Sequence, residues 1–430
     1  MFVLYDRERQ RLPIRVWLER PDEIEPECLE QAIHLANLPF AVESIALMPD
    51  VHTGFGMPIG GILAADDVLV PSAVGMDIGC GMEFVGSNLP VEALRRAHAG
   101  SDGGDRRGGG GHSAIQEIVH RIMRAVPLGF EHHKQKQPCR VLDELPLSPE
   151  ALRFASVDRH GLASLAPELE EAYRQVGTLG GGNHFIELQE DEQGRLAIMV
   201  HSGSRNLGYK ICNYFDRVAQ ALNQQWKSPV PKEWKLAYLP LSEEAGQAYR
   251  EWMELALRFA RENRERIVAA VKTCVEEVVA SSPELQGFPL VWTEEASAHH
   301  NYAALEEHGG RRVWVHRKGA ILADPGRVGI IPGSMGTASY LVEGLGSPLS
   351  FRSASHGAGR RMSRNQAKER LTRDALDRAL GDVVLGTTAK GKDILEEAPQ
   401  AYKDIDYVIS QEEDLVRPVK KLRTVAVVKG

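Results

Sequence analysis

The sequence is poor in cysteine, and the five that it has are scattered along 430 residues: Cys28, Cys80, Cys139, Cys212 and Cys274. An odd, dispersed set does not form a disulfide framework and is typical of a reducing compartment. Long hydrophobic runs are also missing, so no transmembrane helix is expected. The N-terminus lacks the basic segment, apolar core and cleavage site of a signal peptide. These absences predict a cytoplasmic protein without a membrane partner.

An overall excess of positive charge is missing as well. The formal net charge is −8, which argues against general electrostatic attraction to nucleic acid. One segment departs from this balance, because residues 351–380 contain eight Lys and Arg against three Asp and Glu. On charge alone, this segment is either a solvated helix face or a local surface for anions.

Several familiar motifs are absent. Without a CxxC pair or an HExxH motif, the chain is neither a zinc ribbon nor a zincin. The segment GTTAKGKD, which begins at Gly386, approaches a P-loop, but Asp393 stands where Ser or Thr must bind magnesium. The Lys-x-Asp-Gly signature of lysine-type nucleotidyl transferases is missing too. If this chain transfers a nucleotide, its nucleophile is not that lysine.

The hydrophobic patterns predict an α+β fold. Short apolar runs between Gly and Pro turns predict strands within the first 90 residues, and at 185–188, 196–201, 313–323, 327–335 and 422–430. Strong helix formers predict one long helix or two over 241–282, and a helix over 364–380. The glycine-rich segment 101–112 is expected to be a mobile loop. Without a repeat or linker, residues 1–430 are expected to form a single large interwoven domain, a mixed β-sheet core with surrounding helices.

Four segments share one design, a ligand-type residue in a turn beside an apolar run. They are DIGCG with Asp77 and Cys80, GGGNHF with Asn183 and His184, VHSGSR with His201 and Arg205, and AHHNY with His299 and His300. Asp, Cys and His together suit zinc, manganese, iron or cobalt. Any one of these histidines alone is more simply a hydrogen-bonded structural residue, and Cys80 alone could be a nucleophile. Four such turns in one chain favour a metal site.

The sequence does not decide the roles of two further segments. In SASHGAGRRMSR, residues 353–364, His356 sits among small residues and precedes three arginines. A histidine in this setting is a metal ligand, a base, a nucleophile or a plain loop residue. The segment PGSMGTAS, residues 332–339, is either an anion-binding turn with backbone N–H donors or a plain loop.

Long motifs follow one another in an order that resembles the RtcB family of RNA ligases. They are MPDVHTGFGMPIGG, VGMDIGCGM, TLGGGNHFIEL, VHSGSRNLG, HHNYA, HRKGA, IIPGSMGTASY, SHGAGRRMSR, AYKDID and VVKG. The likeness extends from about residue 40 to Gly430, with no motif residue missing. It implies a GTP- and manganese-dependent enzyme that joins an RNA 3′-phosphate or 2′,3′-cyclic phosphate end to a 5′-hydroxyl end, in tRNA splicing or RNA repair.

The resemblance also implies roles for individual residues. His356 is the expected nucleophile, which attacks the α-phosphorus of GTP and holds GMP as a phosphoramidate. Two manganese ions are expected on Asp77, Cys80, His184, His201 and His300, with Cys80 as the bridge. The expected guanylate pocket comprises Asn183, Glu187, Ser334, Ser339, Ala358, Gly359, Tyr402 and Lys429. The expected contacts to RNA phosphates are Arg205, Arg360 and Arg364.

The expected partners are GTP, RNA with broken ends such as tRNA halves or damaged RNA, and an archease-type activator, which some members use. A monomer is expected. Two other functions stay open. A metal-dependent phosphoesterase that only opens cyclic phosphate ends would need the metal cluster but not His356, Ser334 or Lys429. A non-catalytic module that binds RNA ends or nucleotides would not need a nucleophile together with a full ligand set.

Overall fold

A computed structural model gives the fold and describes residues 1–98 and 113–430, so the loop expected at 101–112 lies outside the described residues. The strands are β1 (Phe2–Leu4), β2 (Ile14–Val16), β3 (Ala41–His52), β4 (Ile59–Ala65), β5 (Val68–Leu69), β6 (Gly81–Pro90), β7 (Phe185–Glu190), β8 (Arg195–Ser202), β9 (Leu239–Pro240), β10 (Trp292–His299), β11 (Asn301–His308), β12 (Arg311–Lys318), β13 (Ala320–Leu322), β14 (Val328–Ile331), β15 (Ala338–Gly344), β16 (Ser353–Ser355), β17 (Val384–Thr387) and β18 (Val416–Lys429). The helices are α1 (Pro26–Ala36), α2 (Pro71–Val74), α3 (Val91–Arg96), α4 (Ala114–Ala125), α5 (Arg140–Glu144), α6 (Pro149–Ala155), α7 (Ala166–Gln175), α8 (Arg205–Gln225), α9 (Glu244–Ser281), α10 (Arg364–Arg370), α11 (Arg373–Leu380) and α12 (Ile405–Ser410).

Two mixed sheets form the core. One has six strands in the order β1-β2-β3-β4-β12-β11, and the other has eight, in the order β10-β6-β8-β7-β18-β15-β14 with β17 beside β18. Most neighbours are antiparallel, whereas β2 with β3 and β17 with β18 are parallel. The predicted α+β fold is confirmed. None of the helices in the described parts of the chain is both long and apolar enough to span a membrane.

The long amphipathic segment forms one helix, α9, of 38 residues. Its N-terminal half packs against α6 and α8, and side chains such as Trp252 and Phe259 are fully buried there. Its C-terminal half packs against α4 and the eight-stranded sheet through residues such as Ile267 and Val275. A single helix therefore joins two hydrophobic clusters and runs beneath the turns that carry the polar motifs.

The helix predicted over 364–380 is wrong as one element, because the chain forms α10 and α11 with a break at Leu371. The side chain of Thr372 accepts a hydrogen bond from the backbone N–H of Ala375 and so caps a new helix. Ser363 caps α10 in the same way. Threonine at an N-cap stabilises a helix start by about 1 kcal/mol, and that start interrupts the helical pattern. The final strand also begins earlier than predicted, at Val416.

The chain passes from β10 of one sheet to β11 of the other through a single residue. Strand β10 of the eight-stranded sheet ends at His299, and β11 of the six-stranded sheet begins at Asn301. His300 is the only residue between them, and its backbone is fixed to both sides. Its N–H donates to the carbonyl of Cys80 at 2.9 Å, and its own carbonyl accepts from the N–H of Gly319 at 2.8 Å. The junction of the sheets is therefore the place where the polar turns converge.

Candidate active site

The strand register brings the four polar turns to one end of the eight-stranded sheet. Gly81 at the start of β6 faces both His299 and Ser202. Phe185 at the start of β7 faces His201 near the end of β8. Because antiparallel neighbours place the start of one strand beside the end of the next, the turns before β6 and β7 and after β8 and β10 lie together.

Five side chains from these turns form one donor cluster with Cys80 at its centre. The Cys80 Sγ lies 3.4 Å from His184 Nε2 and 3.2 Å from His201 Nε2. Beyond them, His184 Nε2 lies 3.0 Å from an Asp77 oxygen, and His201 Nε2 lies 3.3 Å from His300 Nε2. Two triads result, Asp77 with Cys80 and His184, and Cys80 with His201 and His300. The structure thus brings together all five metal-ligand candidates, with the thiol common to both triads.

Backbone carbonyls fix how two of the imidazoles face the cluster. His184 Nδ1 lies 3.0 Å from the carbonyl of Leu179, and His201 Nδ1 lies 3.1 Å from the carbonyl of Asn183. For His201 the carbonyl accepts the Nδ1 proton, so Nε2 presents its lone pair to the cluster. The His184 ring lies between two acceptors, the Leu179 carbonyl at Nδ1 and the Asp77 carboxylate at Nε2. Such a partner behind the ring is the usual way in which proteins orient a metal-binding histidine. His299, the neighbour of His300, lies outside both triads of donors. Its Nδ1 is 3.1 Å from the Gly79 carbonyl.

Burial sets the charge of the cluster. It lowers the pKa of His201 and of His300 well below the usual value, with repulsion from neighbouring histidines as a second cause, so both rings stay neutral. Burial alone would raise the pKa of Asp77, but the hydrogen bond and charge of His184 and the charge of Arg205 hold it at about 2. Burial and the Asp77 carboxylate raise the pKa of the Cys80 thiol well above 9.0. A thiolate at this position therefore requires a bound cation.

Helix α9 holds the turns from behind. The fully buried guanidinium of Arg264 donates to the carbonyls of Gly79 and Ser202, at 3.0 and 3.2 Å. The side chain of Asn263 donates to the carbonyl of Gly203 at 3.1 Å and to that of Thr178 at 3.2 Å. These two side chains link all the glycine turns that carry Asp77, Cys80, His184 and His201. Sequence analysis gave no role to either, because both lie within an otherwise ordinary helical pattern.

Close packing explains a glycine in one of these turns. A Cβ on Gly203 would lie 2.3 Å from an Asp77 oxygen, well inside van der Waals contact. The next residue, Ser204, donates its backbone N–H to that oxygen at 3.1 Å. Glycine at 203 therefore lets the backbone after β8 approach the carboxylate that completes one triad.

His356 stands beside the cluster and is held by a buried carboxylate. Its Nδ1 lies 2.6 Å from Asp50 Oδ2, and its backbone N–H donates to the same oxygen at 3.0 Å. The Asp50 side chain is fully buried in β3. The imidazoles of His356 and His300 are 4.7 Å apart between ring centres. Because the carboxylate accepts the Nδ1 proton, Nε2 of His356 is the nitrogen with a free lone pair.

Glycine at 359 permits this arrangement. Its φ of 70° is in the left-handed region, and a Cβ there would lie 2.1 Å from the carbonyl oxygen of Asp50. Lys403, of the AYKDID motif, donates to the carbonyls of Pro49 and Val51 at 2.9 and 2.7 Å and so braces the same stretch of β3. The motifs SHGAGR, MPDVH and AYKDID therefore form one local unit around His356.

His356 lies between two cavities. One, of about 370 Å³, is lined by Asn183, Ser334, Ala358, Gly359, Tyr402 and Lys429 among others. The other, of about 400 Å³, opens onto Asp77, Cys80 and His300. Four residues line both cavities, namely Ile59, Asn183, His356 and Arg364. A group attached to His356 could thus extend into the first cavity and react in the second.

A buried charged network forms one wall of the first cavity. Glu397 accepts from Lys429 Nζ at 3.1 Å, from the Tyr402 hydroxyl at 2.5 Å and from Arg360 Nη1 at 3.2 Å. Burial alone would raise the pKa of Glu397, but the charge of Lys429 and the hydrogen bond from Tyr402 hold it below the usual value. The same burial, with the Glu397 charge, raises the pKa of Tyr402 well above 10.0. The network keeps several donors at fixed positions along this wall of the cavity.

Comparison with known proteins places these features in a family. The profile of the family described as tRNA-splicing ligase RtcB matches residues 31–430. The chain is 36% identical over 425 aligned positions to the RNA-splicing ligase RtcB of Escherichia coli (strain K12), with 98% of each chain covered. It is 31% identical over 487 positions to the tRNA-splicing ligase RtcB of Thermococcus kodakarensis, covering 98% of this chain and 96% of that protein. The chain belongs to the RtcB family. The resemblance drawn from the sequence motifs is confirmed.

Not every residue that the RtcB resemblance suggested for the guanylate pocket lines the cavity. Glu187 is buried within the eight-stranded sheet, where Gln189 donates to it at 2.7 Å. Ser339 is equally buried and receives a hydrogen bond from the same Gln189 at 3.1 Å. Burial raises the pKa of Glu187 to about 7, although Gln189 and Lys429 oppose the shift. Both residues lie behind the cavity wall and are joined to each other through Gln189.

The three arginines that the RtcB resemblance suggested for RNA contacts lie in three different settings. Arg205 is largely buried against Thr178, with its Nε 3.3 Å from the threonine hydroxyl. Arg360 lies in the Glu397 network, with its guanidinium over the Tyr402 ring at 4.9 Å. Arg364 is about half exposed, lines both cavities and is 3.7 Å from Glu397. Of the three, Arg364 is the one most open to a large polyanion.

Proposed function

We propose that this RtcB-family protein is an RNA ligase that joins 3′-phosphate or 2′,3′-cyclic phosphate ends to 5′-hydroxyl ends through a GMP group carried on His356, with GTP and manganese. One observation carries the proposal, namely that His356 borders both the cavity with the Glu397 network and the cavity with the two donor triads. The first cavity suits a nucleotide, because it is concave and supplied with fixed polar donors.

The donor set fits two divalent ions. Asp77, Cys80 and His184 would hold one ion, while Cys80, His201 and His300 would hold the other. The neutral imidazoles support this fit, as does a thiol that becomes a thiolate only beside a cation. Manganese accepts such a mixed ligand set, and when bound it would neutralise charge on the reacting phosphates.

The residues around His356 support its role as the nucleophile. Asp50 holds the Nδ1 proton, so the lone pair of Nε2 attacks the α-phosphorus of GTP and pyrophosphate leaves. The RNA 3′-phosphate, after hydrolysis of any cyclic form, then attacks this phosphorus and takes GMP from the imidazole. Last, the 5′-hydroxyl attacks the RNA phosphate and GMP leaves. Imidazole is a good leaving group in the second step because it departs as a weak base near neutral pH.

Two rival functions are less well supported. A phosphoesterase that only opens cyclic ends has no use for the paired Asp50 and His356 or for the Glu397 network. A binding module without chemistry has no use for two donor triads beside an oriented imidazole. The physiological RNA that we propose is a broken end such as a tRNA half or a damaged RNA. We further propose a monomer that an archease-type protein activates, in the cytoplasm, where its five buried free cysteines stay reduced.

A joining assay with two short RNAs tests the proposal. One RNA ends in a 3′-phosphate or a 2′,3′-cyclic phosphate, and the other begins with a 5′-hydroxyl. The expected result is a product of summed length that requires both GTP and manganese. An opened cyclic phosphate without a joined product, in the presence of GTP, manganese and archease, would favour the phosphoesterase instead.

Removal of the last two residues should weaken GTP binding. Lys429 is buried in the first cavity, where its ammonium lies 3.1 Å from Glu397 and over the Phe185 ring at 5.9 Å. Loss of a charge-assisted hydrogen bond costs about 1.5–3 kcal/mol, so affinity should fall by roughly ten- to a hundredfold. Calorimetric titration with GTP measures it. The variant Lys429→Met keeps the strand length and should show a similar loss, whereas unchanged affinity in both would remove Lys429 from the pocket.

Replacing Asp50 with asparagine should slow the attack by His356. The substitution keeps the shape but removes the negative charge that orients Nδ1–H and stabilises the imidazole as it gains charge. We expect the rate of covalent GMP formation to fall by about 10²–10⁴-fold. Time courses with labelled GTP measure that rate. The control is Asp377→Asn, an exposed aspartate of α11 that pairs with Arg373; an equal effect in both variants would contradict the role of Asp50.

A further inference from the structure

A third cavity continues from the metal-donor cavity over the surface of α8. It has a volume of about 1160 Å³ and shares Phe55, Met76, Asn213 and Asp216 with the donor cavity. We call it the α8 groove. Its far wall is formed by the C-terminal part of α8 and by the segment from Lys227 to Ala237. A chain that leaves the donor cavity along this side would run directly into the α8 groove.

Unpaired positive charge lines the α8 groove. Four of its lining residues are cationic and exposed, namely Arg217, Lys227, Lys232 and Lys235. None of them forms an ion pair with a carboxylate in the described parts of the chain. The two acidic residues of the lining are Asp216 and Glu233, and Gln220 donates to Asp216 at 2.7 Å. The α8 groove therefore has a net positive lining in a protein whose net charge is −8.

An exposed aromatic ring stands where the α8 groove meets the donor cavity. Phe55 is 41% exposed, and the ammonium of Lys235 lies 5.0 Å from its ring centre. The backbone around it is fixed, because the buried Lys318 donates to the carbonyls of Phe55 and Met57 at 2.7 and 3.1 Å. A fixed, solvent-facing ring next to a cation is a stacking platform rather than a core residue.

The segment with Lys235 is locked to the same loop. Ser72 donates to the carbonyl of Lys235 at 2.8 Å. A Cβ on Gly56, whose φ is 72°, would lie 2.5 Å from that carbonyl oxygen, so only glycine allows this contact. Phe55 and Lys235 thus keep their relative position before any ligand arrives, which lowers the entropic cost of binding.

We propose that the α8 groove binds single-stranded RNA next to a reacting end, with Phe55 stacking on a base and Lys235, Lys232, Lys227 and Arg217 contacting the backbone phosphates. The proposal rests on the proposed ligase function and names the route of one substrate strand. Continuity with the donor cavity and the unpaired cations both favour a polyanion that threads towards the metal-donor cluster. Aromatic stacking combined with a basic track is the usual way in which proteins hold single strands without reading their sequence.

Binding of fluorescent single-stranded RNA to the full-length protein with manganese, without GTP, tests the α8 groove. We expect Phe55→Ala to weaken binding by about tenfold, since one base stack contributes on that scale, and Phe55→Trp to restore it. We expect Lys232→Ala and Lys227→Ala each to lower the slope of log affinity against log salt by about 0.7, the value for one phosphate contact of a single strand. The controls are Tyr5→Ala, an exposed aromatic of the N-terminal segment, and Arg312→Ala, an exposed cation that lines a separate hollow.

Substrate length identifies the bound strand. Joining rates are measured with each RNA partner shortened one nucleotide at a time, and the penalty of Phe55→Ala should disappear once the strand in the α8 groove is too short to reach the ring. If the Phe55 and lysine variants keep the RNA affinity and the salt slope of the wild type, the proposal that the α8 groove binds RNA is wrong. Covalent GMP on the wild-type protein is measured in parallel without RNA. If covalent GMP is absent, the result contradicts the proposed ligase function. If covalent GMP is present and RNA binding in the variants is unchanged, the result contradicts only the proposal that the α8 groove binds RNA.

Discussion

Replacing His356 with alanine should abolish both covalent GMP and RNA joining. The imidazole is the proposed nucleophile, and Asp50 orients it between the first cavity and the donor cluster. Removal of an enzyme nucleophile lowers the rate by about 10⁴-fold or more. The experiment compares wild-type and His356→Ala protein for labelled GMP on the protein and for joined RNA.

The manganese content of His356→Ala shows whether the loss of activity comes from the nucleophile alone. His356 is not a member of either donor triad, so the variant should bind the same amount of manganese as the wild type and unfold at a similar temperature. If the His356→Ala protein still carries labelled GMP, His356 is not the nucleophile. A protein that loses its metal as well would instead show that His356 belongs to the donor cluster.

Replacing Cys80 with alanine should remove manganese and, with it, joining activity. Cys80 is the only donor common to both triads, so its loss leaves two donors in each. We expect the metal content to fall from two ions per chain to less than one, and the joining rate to fall by about 10³-fold or more, the scale on which charge-stabilising groups contribute. Elemental analysis of the purified protein measures the first, and the RNA assay measures the second.

Cys212 provides the matched control. It is buried, lines the same cavity and lies outside both triads. Cys212→Ala removes a thiol of the same size from the same region and should keep its metal. Normal metal content in Cys80→Ala, or equal loss in both variants, would contradict a bridging role for Cys80.

The sequence pointed to the donor cluster because Asp, Cys and His lie in turns beside apolar runs, most of them flanked by glycine. Asp77 with Cys80, His184, His201 and His300 come from four separate segments of the chain, yet each segment lies beside an apolar run, and the strand register aligns the ends of those runs. Sequence analysis missed Asp50 as the partner of His356, although the MPDVH motif contains it. A carboxylate in a long buried strand offers no spacing pattern that points to one histidine about 300 residues later.

Other residues escaped prediction for the same reason. Glu397 lies in a short 3₁₀ segment with no recognisable motif, and it becomes the centre of the charged network on one wall of the first cavity only because Lys429, Tyr402 and Arg360 fold around it. The resemblance to the RtcB family suggested that Arg360 contacts RNA phosphates, and that role stays a prediction; the sequence did not indicate that Arg360 also donates a hydrogen bond to Glu397. Local pattern predicts the type of element and the chemistry of a turn; tertiary packing decides which charges face one another.

The most direct measurement of the central claim uses GTP labelled at the α-phosphate. The protein, loaded with manganese, is mixed with this GTP, denatured, separated on a gel and treated with acid or alkali. The proposed His356–GMP phosphoramidate predicts a protein-bound label that acid removes and alkali leaves in place. A label that survives acid, or no label at all with manganese bound and an archease added, would contradict it.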